Sequence, residues 1–286
     1  MSNNVVQVDA CNLISRWPGW RRLPFSMSMQ LLVSVRNANE AVLAAQSGAD
    51  IIDVKEPVQG ALGFAGWNTI SDVVEAVSSN VPTSAALGEC VEWLSLTGSK
   101  SHPLFRPSGR LSFVKLGLAD LAPNSAGKNQ WIDDWKAAKA EVSKCFASDV
   151  DWPDWVAVAY ADSAAANAPD AFSILQAAID LKCKVFLIDT YIKDGKTTLG
   201  WLSENQLTEL RLQANAAGIR FALAGQLNEQ HLEVVRRIHP DIFAVRGAVC
   251  DADRSSSISP GKVQHLKTLL QRFSPSAAEP CPQGEP

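Results

Sequence analysis

Along the chain, short runs of Val, Ile, Leu and Ala alternate with longer stretches in which apolar residues recur every three or four positions. The short runs are "MQLLVSV" (29–35), "ADIIDVK" (49–55), "PTSAALG" (82–88), "SFVKLGL" (112–118), "DWVAVAY" (154–160), "KVFLIDT" (184–190), "IRFALAG" (219–225) and "DIFAVRG" (241–247). Each has the length and composition of a buried strand. Most gaps carry helical patterns: "NANEAVLAAQSG" with a Gly stop, "QWIDDWKAAKAEVSKCF", "APDAFSILQAAIDLK", "SENQLTELRLQANAAG" with a Ser cap, "NEQHLEVVRRI" and "GKVQHLKTLLQRF".

Strictly alternating strands and helices imply parallel strands joined by right-handed crossovers. Eight such units predict an α/β fold: a single (βα)8 TIM barrel over 29–272. An open doubly wound sheet is the competing arrangement, and no strand–helix turn carries the GxGxxG run that such dinucleotide folds use. The third unit is irregular. Residues 89–110, "ECVEWLSLTGSKSHPLFRPSGR", hold two prolines among Gly and Ser, so any helix there is short.

Composition narrows the class. The chain has 286 residues, 47% hydrophobic and 20% charged, with net charge −4, which is ordinary for a soluble protein and argues against a nucleic-acid partner. No window approaches the roughly 18 uninterrupted apolar residues of a membrane span. Residues 1–28 lack the basic-then-apolar order of a secretory signal and read as a loosely ordered N-terminal extension, with Met27 and Met29 as alternative starts. Residues 273–286, rich in Pro, Ala and Glu, read as a disordered tail. The six cysteines form no CxxC pair and suit reduced thiols in a cytoplasmic protein.

Charges break the apolar runs at particular places. Asp53 and Lys55 end the second run two positions apart, so they share one face of a strand. Lys115 sits near the end of the fourth, Asp189 ends the sixth, Lys193 follows in "DTYIKDGK", and Arg246 ends the eighth. In (βα)8 enzymes the reacting groups occupy the C-terminal ends of strands, so all of these would ring one mouth. Several lysines and two aspartates in a low-dielectric pocket suit imine chemistry, because burial and a neighbouring ammonium supply the neutral amine that attacks a carbonyl. Gly225 and Gly247 open the loops after the last two strands, where backbone N–H groups commonly hold phosphate. His102, His231, His239 and His265 show no metal-ligand spacing, so neither metal nor cofactor is expected.

Plainer readings stand beside these. Asp53 with Lys55 is also what an internal salt bridge looks like. Arg246 suits the mouth's own carboxylates as well as a substrate, and Lys196 is read as part of a solvated Asp-Gly turn.

Taken together, "LLVSVRNANEAVLAAQSGADIIDVKEPVQGALG", "FVKLGL", "LIDTYIKDGKT", "FALAGQL" and "AVRGAVC…DR" resemble the (5-formylfuran-3-yl)methyl phosphate synthase family over roughly 29–272. The resemblance implies a (βα)8 lyase that condenses two glyceraldehyde 3-phosphate molecules into a phosphorylated furan aldehyde, with release of phosphate and water. Its product would serve methanofuran-type one-carbon carriers. The family's functional aspartates and lysines fall on Asp53, Lys55, Lys115, Asp189 and Lys193. The expected assignment makes Lys55 the imine-forming nucleophile and Asp53 its proton partner. Asp189 is the acid/base, and Lys115 and Lys193 hold phosphate or alkoxide, with Lys193 a rival for the imine. The partner is then a triose phosphate; a homo-oligomer is compatible with the sequence, which does not fix one. One departure is Glu89, in "LGECVEW", where the family usually has Gly-Asp. The alternatives are another Schiff-base aldolase acting on a different sugar phosphate, or a non-catalytic barrel that binds phosphorylated metabolites.

Overall fold

All eight apolar runs are strands of one sheet. The computed structural model describes residues 28–98, 104–107, 109–122, 130–147 and 152–272; the extension expected at the N-terminus and the tail at 273–286 lie outside these, except for Ser28. The strands are β1 (Gln30–Val35), β2 (Ile51–Val54), β3 (Thr83–Glu89), β4 (Phe113–Gly117), β5 (Asp154–Tyr160), β6 (Val185–Asp189), β7 (Arg220–Leu223) and β8 (Ile242–Val245). They pair in parallel in sequence order, and β8 returns to β1 to close the barrel. Closure removes every sheet edge, and because helices cover the outside and side chains fill the inside, the strands carry apolar residues on both faces.

The helices are α1 (Ala38–Gln46), α2 (Trp67–Ala76), α3 (Cys90–Leu94), α4 (Gln130–Ser143), α5 (Ala171–Asp180), α6 (Glu204–Ala216), α7 (Leu232–Ile238) and α8 (Pro260–Arg272). Three starts show local chemistry directly. Asn37, Asp170 and Ser203 each accept a hydrogen bond from the first turn of α1, α5 and α6, and Ser203 with Gln206 forms a capping box. The third unit is irregular as expected, since α3 spans only five residues.

Alternation along each strand divides the core in two. Leu31, Val33, Ile52 and Val54 pack outward with the helices, whereas Leu32, Ile51, Val158, Leu187 and Ile242 fill the barrel interior. Inward positions on β7 and β8 carry the small residues Ala222 and Ala244, with Ala224 just beyond β7, so the upper interior is left open. Among the described residues no helix is long and apolar enough to cross a membrane.

Candidate active site

The open end of the barrel, at the C-terminal ends of the strands, holds a cavity of about 470 Å³. Its lining includes Asp53, Lys55, Lys115, Asp189, Lys193, Gly225, Arg246 and Gly247, so the residues singled out in the sequence face one space. Four of them come one from each even-numbered strand: Asp53 and Lys115 within β2 and β4, Asp189 at the end of β6, and Arg246 just beyond β8. Alternate strands of such a barrel contribute to the same interior layer, so the charges alternate in sign around the mouth.

Asp53 and Lys55 do not pair with each other. The Asp53 carboxylate, 2% exposed, is an ion pair with Lys115, one strand beyond the intervening β3. Ser34 Oγ donates to its other oxygen at 3.0 Å, and Lys115 Nζ also donates to Ser84 Oγ at 3.1 Å. Strand register explains this, because Ser34 on β1 and Ser84 on β3 flank Asp53 on either side. On the opposite wall, Lys193 Nζ donates to Asp189 Oδ1 at 2.6 Å and to Thr190 Oγ1 at 3.1 Å. The Thr190 N–H donates to the same carboxylate oxygen at 2.8 Å.

Lys55 lies between these two closed pairs, 9% exposed, its side-chain amine without a hydrogen-bond or ion-pair partner among the described residues. Its amine is drawn down to about 8. Burial is the main cause, the Lys193 and Lys115 ammonium groups push the same way, and Asp189 and Asp53 only partly oppose them. Burial alone would raise the Asp189 carboxyl, but the ammonium groups of Lys193 and Lys55 and its hydrogen bonds outweigh that and hold it below its ordinary value. The site therefore offers a buried amine that loses its proton well below the usual lysine range, at about 8, and a carboxylate held toward its ionised form.

Arg246 is engaged with the protein's own groups. Its guanidinium donates to Glu40 of α1 at 2.9 Å, to the Ser34 carbonyl at 2.9 Å and to the Arg254 carbonyl at 2.6 Å. Gly225, at φ +95°, has no room for a side chain, since a Cβ there would run into Thr198 Oγ1. Glu89, the departure in the third unit, lies outside the cavity lining; it accepts hydrogen bonds from Tyr160 Oη and, at 3.0 Å, from the Ala119 N–H. Gly117 has no side chain to collide with that carboxylate.

Sequence reasoning passed over Arg254. It lines the cavity on the β8–α8 loop, half-buried, and its guanidinium makes one hydrogen bond, to the Gly60 carbonyl at 3.0 Å, with no carboxylate partner among the described residues. It stands in a run of Asp and Ser that reads as a solvated turn, and only its position in "AVRGAVC…DR" hinted otherwise.

Comparison with known proteins agrees with this picture. Residues 31–267 match the family model described as 4-HFC-P synthase. The (5-formylfuran-3-yl)methyl phosphate synthase of Methanosarcina barkeri is 33% identical over 250 residues, covering 85% of this chain and 100% of that protein. The enzymes of the same name from Methanosarcina acetivorans and Methanocaldococcus jannaschii are 34% and 33% identical, each over 85% of this chain and 100% of their own length. Among solved structures, 3-hexulose-6-phosphate synthase from Salmonella typhimurium superposes with a TM-score of 0.51 at 15% identity, covering 86% of this chain and all 100% of that one. Phosphoribosyl anthranilate isomerase from Thermus thermophilus gives 0.50 at 15%, covering 86% and 100%. At these identities the two structures speak for the barrel fold alone.

Proposed function

The chain belongs to the 4-HFC-P synthase family, and on that premise we propose that it makes (5-formylfuran-3-yl)methyl phosphate by condensing two molecules of glyceraldehyde 3-phosphate through an imine on Lys55. The observation that carries the reading is the unpaired, buried Lys55 between two lysines already committed to aspartates. Of the three amines it alone is free to attack. Such placement serves nucleophilic catalysis, where a desolvated lysine beside other cations gives up its proton at working pH.

In this scheme the Lys55 amine adds to the carbonyl of one triose phosphate and water leaves to form the imine. The imine withdraws electrons from the neighbouring carbon, whose proton passes to the ionised Asp189 carboxylate. Phosphate leaves from the next carbon, and the terminal carbon of the enol so formed bonds to the C2 carbonyl of the second triose, tautomerised to its ketose, while Lys193, held on Asp189, donates a proton to the developing alkoxide. Closure of the ketose C1 hydroxyl onto the neighbouring carbonyl, loss of two waters, and hydrolysis of the imine, which frees Lys55 and leaves the formyl group, complete the aromatic furan. Asp53 fixes Lys115 in the mouth, and Lys115 offers its positive charge to a substrate oxygen. Arg254, with the backbone at Gly225 and Gly247, lies where a phosphate would enter, and its guanidinium, bonded only to the Gly60 carbonyl among the described residues, suits that anion. The product would feed a methanofuran-type one-carbon carrier.

Supplying glyceraldehyde 3-phosphate as the sole substrate and identifying the product by mass tests this. The furan aldehyde phosphate, with its near-ultraviolet absorbance, is expected. A different condensation product would indicate another imine aldolase, and no turnover would indicate a barrel that only binds phosphorylated metabolites. The pH dependence follows from the neutral amine being the reactive form. The acidic limb of kcat/KM is expected to climb as pH rises through about 8, the value to which Lys55 is lowered. A rate that falls over that interval contradicts the assignment.

A further inference from the structure

The loop that carries Lys193 is exposed and irregular, yet it is fastened from both sides. Residues 190–197 form no helix or strand, and Ile192, Asp194, Gly195 and Lys196 all face solvent. Gly195, at φ +99°, marks a turn that would otherwise be mobile.

On one flank stands Asp162, just beyond β5 and only 2% exposed. Its two carboxylate oxygens accept the N–H groups of Tyr191 at 2.7 Å and Ile192 at 2.8 Å. No cation pairs with it among the described residues. On the other flank stands Gln226, beyond β7. Its carboxamide oxygen accepts the Gly195 N–H at 2.8 Å, and its nitrogen donates to the Lys196 carbonyl at 2.8 Å and the Ile192 carbonyl at 3.2 Å. Gln226 has φ +59°, directly after Gly225 at +95°. A left-handed backbone at a residue other than glycine is strained and persists where surrounding contacts enforce it. Here the hydrogen bonds of that side chain, to Thr190, Ile192, Gly195 and Lys196, all go to this one loop.

The anchored residues bracket Lys193 closely. Tyr191 and Ile192 precede it, and Gly195 and Lys196 follow. A lysine has four flexible side-chain bonds, so its backbone must be fixed for its ammonium to remain on Asp189 and Thr190.

We propose that Asp162 and Gln226 are positioning residues that clamp the loop after β6, holding the Lys193 ammonium against Asp189 and facing Lys55. The proposal rests on the reading that Lys193 takes part in the reaction. The two residues act through the loop backbone and are not assigned contact with substrate.

The test uses the full chain with Gln226→Ala and, as a second variant that keeps the buried volume, Asp162→Asn. Amide hydrogen exchange read by mass spectrometry is expected to speed up at 190–197 with the barrel strands unchanged. With triose phosphate, kcat is expected to fall about 10- to 100-fold from misplacement of a reacting group, while KM stays within about threefold. The acidic limb of kcat/KM should also move to higher pH. A displaced Lys193 no longer opposes the protonated form of Lys55, and the freed Asp189 favours it. A structural lesion that only reduced the folded fraction would lower the rate and leave that midpoint in place. Unchanged exchange at 190–197 in both variants, or a rate loss with an unmoved midpoint, overturns the proposal. If the natural chain makes no furan from triose phosphate, the assigned reaction fails; the exchange measurement still decides whether the clamp exists.

Discussion

Replacing Lys55 by methionine is expected to remove turnover and, at neutral pH, to make the barrel more stable. The amine is lowered from 10.5 to about 8 by its surroundings. Each unit of such a difference corresponds to about 1.4 kcal/mol, so keeping Lys55 protonated in the folded site costs on the order of 3 kcal/mol. The sign follows from proton binding. The unfolded chain holds this proton more tightly, so the penalty is complete below about 8 and disappears as pH rises to the unfolded value of 10.5. Methionine keeps the apolar stem without the charge. The two ion pairs beside it, Asp53 with Lys115 and Asp189 with Lys193, remain closed, so no carboxylate is orphaned. Thermal unfolding of Lys55→Met should therefore begin several degrees higher at pH 7, with the difference narrowing above pH 8. A variant that is less stable at pH 7, or that still makes product, contradicts this account.

Lys115→Met is expected to do the opposite. Lys115 is 3% exposed and is the ion-pair partner of Asp53, itself 2% exposed. Without it the Asp53 carboxylate keeps only the Ser34 hydroxyl among its side-chain partners. An uncompensated buried charge of this kind destabilises by about 3–5 kcal/mol. Converting both residues at once, Asp53→Asn with Lys115→Met, should restore most of that stability while activity stays lost. Denaturant midpoints for the single and double variants measure the coupling directly. Equal and additive losses would mean that the pair does not hold the mouth together. Two lysines in one cavity are thus expected to have opposite effects on stability, because one is committed to a carboxylate and the other is not.

The strands were legible because parallel strands buried on both faces must be continuous apolar runs, and the charges that interrupt them at 53, 55, 115, 189 and 246 are conspicuous for that reason. Helix α2 left no comparable mark. Its cap is Gly66, with no side-chain hydrogen bond, and it ends at Val77 in extended backbone, so neither usual boundary signal is present. The pairing of Asp53 was hidden for a different reason. Period-two spacing shows that Asp53 and Lys55 share a face, but which cation reaches the carboxylate depends on the register of β1 to β4, which brings Lys115 close from a position 62 residues away. Asp162 and Gln226 were invisible because an acid after a strand and a Gln after a glycine are ordinary loop residues. Their roles arise from backbone groups that only the closed barrel brings within reach.

The most direct measurement of the central claim is borohydride reduction of the protein in the presence of glyceraldehyde 3-phosphate, followed by peptide mass mapping. Imine chemistry as assigned predicts a triose-derived adduct on Lys55, absent from Lys55→Met and from protein reduced without substrate. An adduct on Lys193 would transfer the nucleophile to the other wall of the site, and a reaction that turns over with no adduct on either lysine would contradict the imine mechanism altogether.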